Sequence, residues 1–159
     1  PDMRLISPRF SALTVAAAGV LLLAACSDGF SPQVIEETDF ASALQIDLSA
    51  MTKTASGLYI ETVAEGAGDP VAAGHTVTVT YTGLLASGIT FDPGNAPLTF
   101  TLGTGQVVAG FDEGVTGMKL GGIRIVIIPP GLAYGERAIG AIPAGSILIF
   151  RIELTDIAG

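Results

Sequence analysis

Few side chains in this sequence of 159 residues are equipped for chemistry. It has one cysteine, Cys26, one histidine, His75, and no tryptophan. A single cysteine excludes an intramolecular disulfide, and one of each leaves little for a zinc site. A Ser-His-Asp triad would have to use His75, which follows Gly74, opens a strand-like run and has no nucleophile motif nearby. That histidine reads as a solvated strand end. Gly103-Thr104-Gly105 begins like a dinucleotide-binding loop, but its sixth position is Val108, and no G-K-[ST] occurs. The carboxylate that draws attention is Asp92, in YTGLLASGITFDPGNAP, between Phe91 and Pro93-Gly94. Three roles suit it: a catalytic acid, a group that orients a ligand, or the first residue of a type II turn, where Asp before Pro-Gly fits well. A second candidate is Tyr134, in the glycine-flanked loop Leu132-Ala133-Tyr134-Gly135 after Pro129-Pro130. Loops of that kind carry binding residues more often than core.

The elements that position these residues are mostly strands. Leu58, Ile60 and Thr62 alternate with Tyr59, Glu61 and Val63, up to the turn-forming cluster Glu65 to Pro70. From His75 to Leu85, Val77, Val79 and Tyr81 face one way while Thr78, Thr80 and Thr82 face the other. Leu98, Phe100 and Leu102 mark a third strand, Ile123 to Ile128 a fourth, and Ile147 to Ile157 a fifth. In the last, Arg151 and Glu153 share a face with Ile149, which turns Leu148, Phe150, Ile152 and Leu154 inward. Such alternation belongs to a sheet with one buried face. Phe111, Val115 and Met118 instead stand at i, i+4 and i+7, a one-sided helical stripe ending at Gly121-Gly122. Gly114 and Gly117 weaken that helix in isolation by about 1 kcal/mol each relative to alanine, so it needs a sheet to pack on. The expectation is an α+β domain: a curled antiparallel sheet of about five strands around one short helix.

Composition narrows the partners. A formal net charge of −8, with no run of Lys or Arg after the first ten residues, excludes nucleic acid. The first segment differs from the rest. Arg4 and Arg9 precede an apolar run from Ser11 to Ala25 that is short of the ~20 residues a membrane span requires. A basic start, a short apolar core and small residues at its end read as a secretory signal. Leu23-Ala24-Ala25-Cys26 resembles a bacterial lipobox, so residues 1–26 are expected to be a lipoprotein signal with Cys26 the lipidated residue. Ser27 after that cysteine favours the outer membrane under diderm sorting rules, with Asp28 one place later. The expected location is an exported lipoprotein facing the periplasm or the cell surface. Residues 27–56 read as a polar, acidic tether, with Phe40, Leu44, Ile46, Leu48 and Met51 spaced to lay one apolar side on the domain formed by residues 57–159.

The stretches VTVTYTGLLASGITFD, VVAGFDEGVTGMKLGGIRIVIIPPGLAYGE and AIPAGSILIFRIEL, in this order from about Gly57 to Ile157, resemble the FKBP-type peptidyl-prolyl isomerases, a family that binds macrolides. The resemblance implies rotation about Xaa-Pro bonds in exported proteins. That chemistry needs no covalent catalyst, metal or other cofactor. It implies a proline pocket with Phe111 as floor, where the family usually has tryptophan, and with Tyr81, Phe91, Val107, Val108, Ile142 and Phe150 as walls. Leu98 takes a place often held by phenylalanine. The Val108 N–H and Tyr134 hydroxyl would bind ligand carbonyls, and Asp92 would order the pocket through Tyr81 without transferring protons. By residue type alone, Phe111, Val107, Val108, Ile142 and Phe150 read as core. The loop after Asp92 is shorter than in many relatives and supplies no arginine partner, which bears on macrolide affinity. Expected partners are proline-containing polypeptides, a macrolide ligand and a membrane reached through Cys26, with the protein a monomer. The rival reading is a non-catalytic module that grips proline segments with the same pocket.

Overall fold

The computed structural model describes residues 32–158. The lipobox, Cys26 and the first residues of the tether lie outside the described residues. Seven antiparallel strands form one open sheet: β1 (Thr52–Lys53), β2 (Tyr59–Ala64), β3 (Thr76–Leu85), β4 (Thr90–Asp92), β5 (Leu98–Thr101), β6 (Ile123–Ile128) and β7 (Leu148–Ala158). Their order is β1-β2-β6-β7-β3-β4, and β5 also pairs with β3. The five strands expected from alternation are present, and β1 and β4 are added. Both additions are too short to show a period of two.

β3 is the strand on which the site is built. One edge pairs with β7, from Thr76 opposite Ala158 to Leu85 opposite Leu148. The other edge is shared: β5 pairs with its first half, Thr76 to Val79, and β4 with Gly83 and Leu84. The chain between β4 and β5 therefore leaves the ladder beside Tyr81. On the concave face Val77, Val79, Tyr81 and Leu85 meet Leu148, Phe150, Ile152 and Leu154 of β7 and Val126 and Ile128 of β6.

Across this face lies the one α-helix among the described residues, α1 (Ala109–Val115). The helical stripe was expected to run to Gly121-Gly122. The helix instead ends at Val115, because Thr116 takes an extended ψ of 132° and Gly117 a φ of +78°. Met118 is still buried, as part of the turn that follows. Glycine inside so short a helix has a packing reason. A Cβ on Gly110 would sit 2.3 Å from Ile128 Cγ2, and one on Gly114 would sit 2.9 Å from both Val126 methyls. The helix backbone thus rests directly on β6. Arg124 closes its far end, donating to the carbonyls of Gly114, Thr116 and Gly117 that the helix leaves unpaired. Burial holds that guanidinium below its ordinary pKa.

The convex face is covered too. Residues 33–51 run across it in three single 3₁₀ turns, Ile35–Glu37, Ser42–Leu44 and Leu48–Ala50. Ile35 and Met51 are buried there against Tyr59, Ile127, Ile147 and Ile149, with Phe40, Leu44, Ile46 and Leu48 packed around them. This second core explains why Ile-Arg-Ile-Val-Ile-Ile in β6 is nearly continuous in apolar residues: the strand is buried on both faces. Glu36 fastens the arm, accepting from Lys53 Nζ and, at 2.8 Å, from the Tyr59 hydroxyl. Those bonds hold the Glu36 carboxyl down at about 2, with the Lys53 hydrogen bond the largest cause.

Candidate functional site

The concave face opens at one end into a cleft of about 220 Å³. Its lining is Tyr81, Phe91, Asp92, Leu98, Gln106, Val107, Val108, Phe111, Tyr134 and Phe150. Nine of the ten pocket residues expected from the sequence meet there; the other, Ile142, does not line it. Ile142 is 6% exposed and belongs to the concave core, where its N–H and carbonyl bridge Ile139. Burial in that apolar cluster keeps it behind the lining.

Aromatic rings make the walls. Phe111, at the start of α1, stands edge-on to Phe150 at 5.0 Å between centroids and to Tyr81 at 5.6 Å. Phe91 of β4 meets Phe150 at 5.6 Å, and Phe100 supports Phe111 from below at 5.8 Å. Interplanar angles of 78–89° for the first three pairs put ring edges against ring faces, the arrangement aromatic quadrupoles prefer. Each ring is pinned by another, so the apolar surface is preformed.

Gly83 makes this crowding feasible. A Cβ there would lie 2.6 Å from Phe91 Cζ and 3.0 Å from Phe150 Cε1, so only glycine lets both rings cross the strand. A glycine inside VTVTYTGLL was the available signal, since glycine in a strand interior often marks a close approach. Gln106 is the other residue missed. Its Oε1 accepts the Thr101 N–H at 2.7 Å and the Thr104 hydroxyl at 3.0 Å, fixing the loop that delivers Val107 and Val108. No residue-type rule marks a glutamine in a glycine-rich loop.

Asp92 has the site role, with a local side-chain contact in place of the expected type II turn: residues 93–95 form no turn, and no Asn95 N–H reaches the Asp92 carbonyl. Its Oδ1 accepts the Gly94 N–H at 3.0 Å, and its Oδ2 accepts the Tyr81 hydroxyl at 2.6 Å. Gly94 has φ +62°, and a Cβ on it would strike the Tyr81 carbonyl oxygen at 1.8 Å. The Gly94 N–H and the close approach of this backbone to β3 therefore hold the carboxylate beside Tyr81. Desolvation, and then the Asp92 hydrogen bond and charge, push the Tyr81 hydroxyl up to about 12. Tyr81 stays protonated at any physiological pH and serves as a fixed donor to Asp92.

Two polar groups face the opening. Tyr134 is 37% exposed and lines the cleft from its loop. Val108 precedes α1, and its carbonyl accepts from Phe111 and Asp112, while its own N–H donates to no protein acceptor among the described residues. His75 lies away from the cleft, exposed, with Nδ1 accepting the Ala72 N–H at 3.3 Å. The arrangement is an apolar, aromatic slot with a few fixed polar groups at its rim.

The profile of the FKBP-type peptidyl-prolyl cis-trans isomerases matches residues 68–155. The chain belongs to the FKBP family. FK506-binding protein 1A of Neurospora crassa is 50% identical over 108 residues, 65% of this chain and 90% of that protein. The FK506-binding protein of Neisseria meningitidis serogroup B is 47% identical over 105 residues, 64% of this chain and 96% of that protein. The crystal structure of AtFKBP13 superposes with a TM-score of 0.64 at 35% identity, covering 68% of this chain and 98% of that one. Other relatives are longer: the chain spans 29% of FK506-binding protein 4 from Mycosarcoma maydis. The FKBP match begins at Gly68, so the arm that covers the convex face precedes it.

Proposed function

We propose that this FKBP-family chain is a peptidyl-prolyl cis-trans isomerase that assists the folding of exported proteins, held at a membrane surface by lipid on Cys26. The outer membrane facing the periplasm is the favoured location, and the protein acts as a monomer. Planar amide resonance sets a rotation barrier of ~18–20 kcal/mol, and uncatalysed Xaa-Pro exchange takes tens to hundreds of seconds. An apolar slot disfavours the charge-separated planar amide relative to its twisted form. The proline ring stacks over Phe111, between Phe150, Tyr81 and Phe91, while Leu98, Val107 and Val108 close the sides. The Val108 N–H and the Tyr134 hydroxyl take carbonyl oxygens on either side of the turning bond, which orients the chain without covalent chemistry. Asp92 acts by positioning Tyr81 and the Gly94 backbone.

The observation that carries this reading is the pinned aromatic slot whose carboxylate has both oxygens already occupied. Such a group is suited to ordering a pocket and poorly placed to shuttle protons. One feature favours a second reading, a module that grips proline segments without turning them. Phe111 and Leu98 offer less aromatic area than the tryptophan and phenylalanine expected there. A prolyl isomerisation assay on residues 27–159, with macrolide as competitor, separates the two. Acceleration that the macrolide suppresses supports the enzyme. Peptide binding with exchange at the uncatalysed rate leaves the module.

A further inference from the structure

The arm does more than cover the convex face: we propose that Gln33 is a positioning residue for Tyr134. The inference rests on the isomerase reading of the cleft. The Gln33 N–H donates to the Gly145 carbonyl at 3.0 Å, and its side-chain Oε1 accepts the Ile147 N–H at 2.9 Å. Ile35, two residues on, is buried against Ile147 in the convex core, which fixes the arm at this point. The pair of bonds forms a clamp on the chain just before β7.

From Gly145 the connection continues inward. Gly145 is buried, has φ +70°, and donates its N–H to the Gly135 carbonyl at 2.8 Å. Gly135 in turn donates to the Pro130 carbonyl at 2.8 Å. Tyr134, which lines the cleft, is the residue before Gly135. Among the described residues, the other hydrogen bonds of residues 133–146 stay within residues 129–146: Ala133 to Pro130, Arg137 to Tyr134, Ile139 with Ile142, and Ser146 to Pro143. Gln33 is therefore the hydrogen-bonded tie between this loop and the rest of the protein. Removing its side-chain acceptor opens the Ile147 half of the clamp and leaves the Gly145 carbonyl on the Gln33 N–H alone, which loosens Gly145, then Gly135, and lets the Tyr134 hydroxyl wander from a substrate carbonyl.

The test uses the whole chain with Gln33→Leu, which loses the acceptor at similar size, and Gln33→Glu, which keeps it. Glu36→Gln is the control, weakening the arm at a point away from the loop. In Gln33→Leu the exchange of the Ile147 amide, which loses its acceptor, should quicken about five-fold, the effect of one net hydrogen bond, and that of the Gly145 amide should quicken with it. KM for a proline peptide should rise by about the same factor at unchanged kcat, since Tyr134 contributes binding. Gln33→Glu should restore both, and Glu36→Gln should leave both at the parent values. Unchanged amide exchange or unchanged KM in Gln33→Leu overturns the proposal, as does an equal rise in Glu36→Gln. If the parent chain shows no isomerisation, the isomerase reading fails by itself. Amide exchange, and the affinity for the peptide in place of KM, then still decide whether Gln33 positions the loop.

Discussion

Replacing Asp92 by asparagine keeps the shape of the site and removes its charge. The carboxylate accepts the Tyr81 hydroxyl at 2.6 Å and the Gly94 N–H at 3.0 Å. A hydrogen bond to a charged group contributes ~1.5–3 kcal/mol and a neutral one ~0.5–1.5, so the exchange weakens the Tyr81 contact by roughly 1–2 kcal/mol. Asp92 is only half-buried, which places the loss toward the lower end. If all of it appears in the transition state, kcat/KM falls about 5- to 30-fold. A residue that transfers a proton in the rate-limiting step supplies ~10²–10⁴-fold. The two roles therefore separate on magnitude. The measurement is kcat/KM for Asp92→Asn across a pH series, alongside Asp92→Ala, which also leaves the Gly94 N–H unpaired and should lose more. A modest loss with an unaltered pH profile is expected for Asn. A loss beyond about 10²-fold, with one limb of the pH profile gone, would refute the positioning role.

Three further outcomes follow from particular contacts. Gly110→Ala should destabilise the fold by about 1–2 kcal/mol in denaturant unfolding, because overpacking against Ile128 outweighs a helix-propensity gain of ~1 kcal/mol; a more stable variant would mean the helix does not rest on β6. Ultraviolet titration should show one tyrosine ionising near 12, absent in Tyr81→Phe and lowered only in part in Asp92→Asn, since desolvation is the first cause of the shift. Because that folded-state value exceeds the ordinary 10.0, the stability it contributes is complete below pH 10 and is lost as pH climbs through about 12. Tyr134→Phe should weaken proline-peptide binding about three- to ten-fold with near-normal unfolding, and equal binding by variant and parent would remove Tyr134 from the site.

The concave half of the molecule was legible in the sequence because its strands are long and show one buried face. Val77-Val79-Tyr81 and Leu148-Phe150-Ile152-Leu154 alternate cleanly, and they are the ladder that carries the slot. The convex half was harder to read. Ile149 shares the outward face of Arg151 and Glu153, and Ile125 and Ile127 interrupt no alternation in β6; the arm covers all three from that side. That arm forms single 3₁₀ turns, each too short to establish a period. The helix end was misjudged for a related reason: Met118 is buried at a spacing that fits a helix, but Gly117 at positive φ has already turned the chain.

Within the site, residues with bulky or charged side chains were found and those acting through smallness or the backbone were not. Asp92 and Tyr134 declare themselves by type and place, and Phe91, Phe111 and Phe150 by their resemblance to the FKBP pattern. Gly83 acts by lacking a side chain, and Gln106 by holding the Thr101 amide, roles that depend on neighbours remote in sequence. Ile142 shares its residue type with wall and core alike, and only its burial in the concave cluster places it behind the lining. The Asp92 alternatives also needed the fold, since its two oxygens serve the Gly94 N–H and Tyr81 at once and no type II turn forms.

The central claim is that the slot between Phe111, Phe150, Tyr81 and Phe91 turns prolyl bonds. Exchange spectroscopy on an Xaa-Pro peptide, with the protein at substoichiometric concentration, tests it most directly. An isomerase should give cis-trans exchange cross-peaks on a sub-second timescale, against tens to hundreds of seconds uncatalysed, with protein shifts centred on Phe91, Phe111 and Tyr134. Shifts at those residues without exchange cross-peaks, or exchange with the shifts elsewhere, would contradict it.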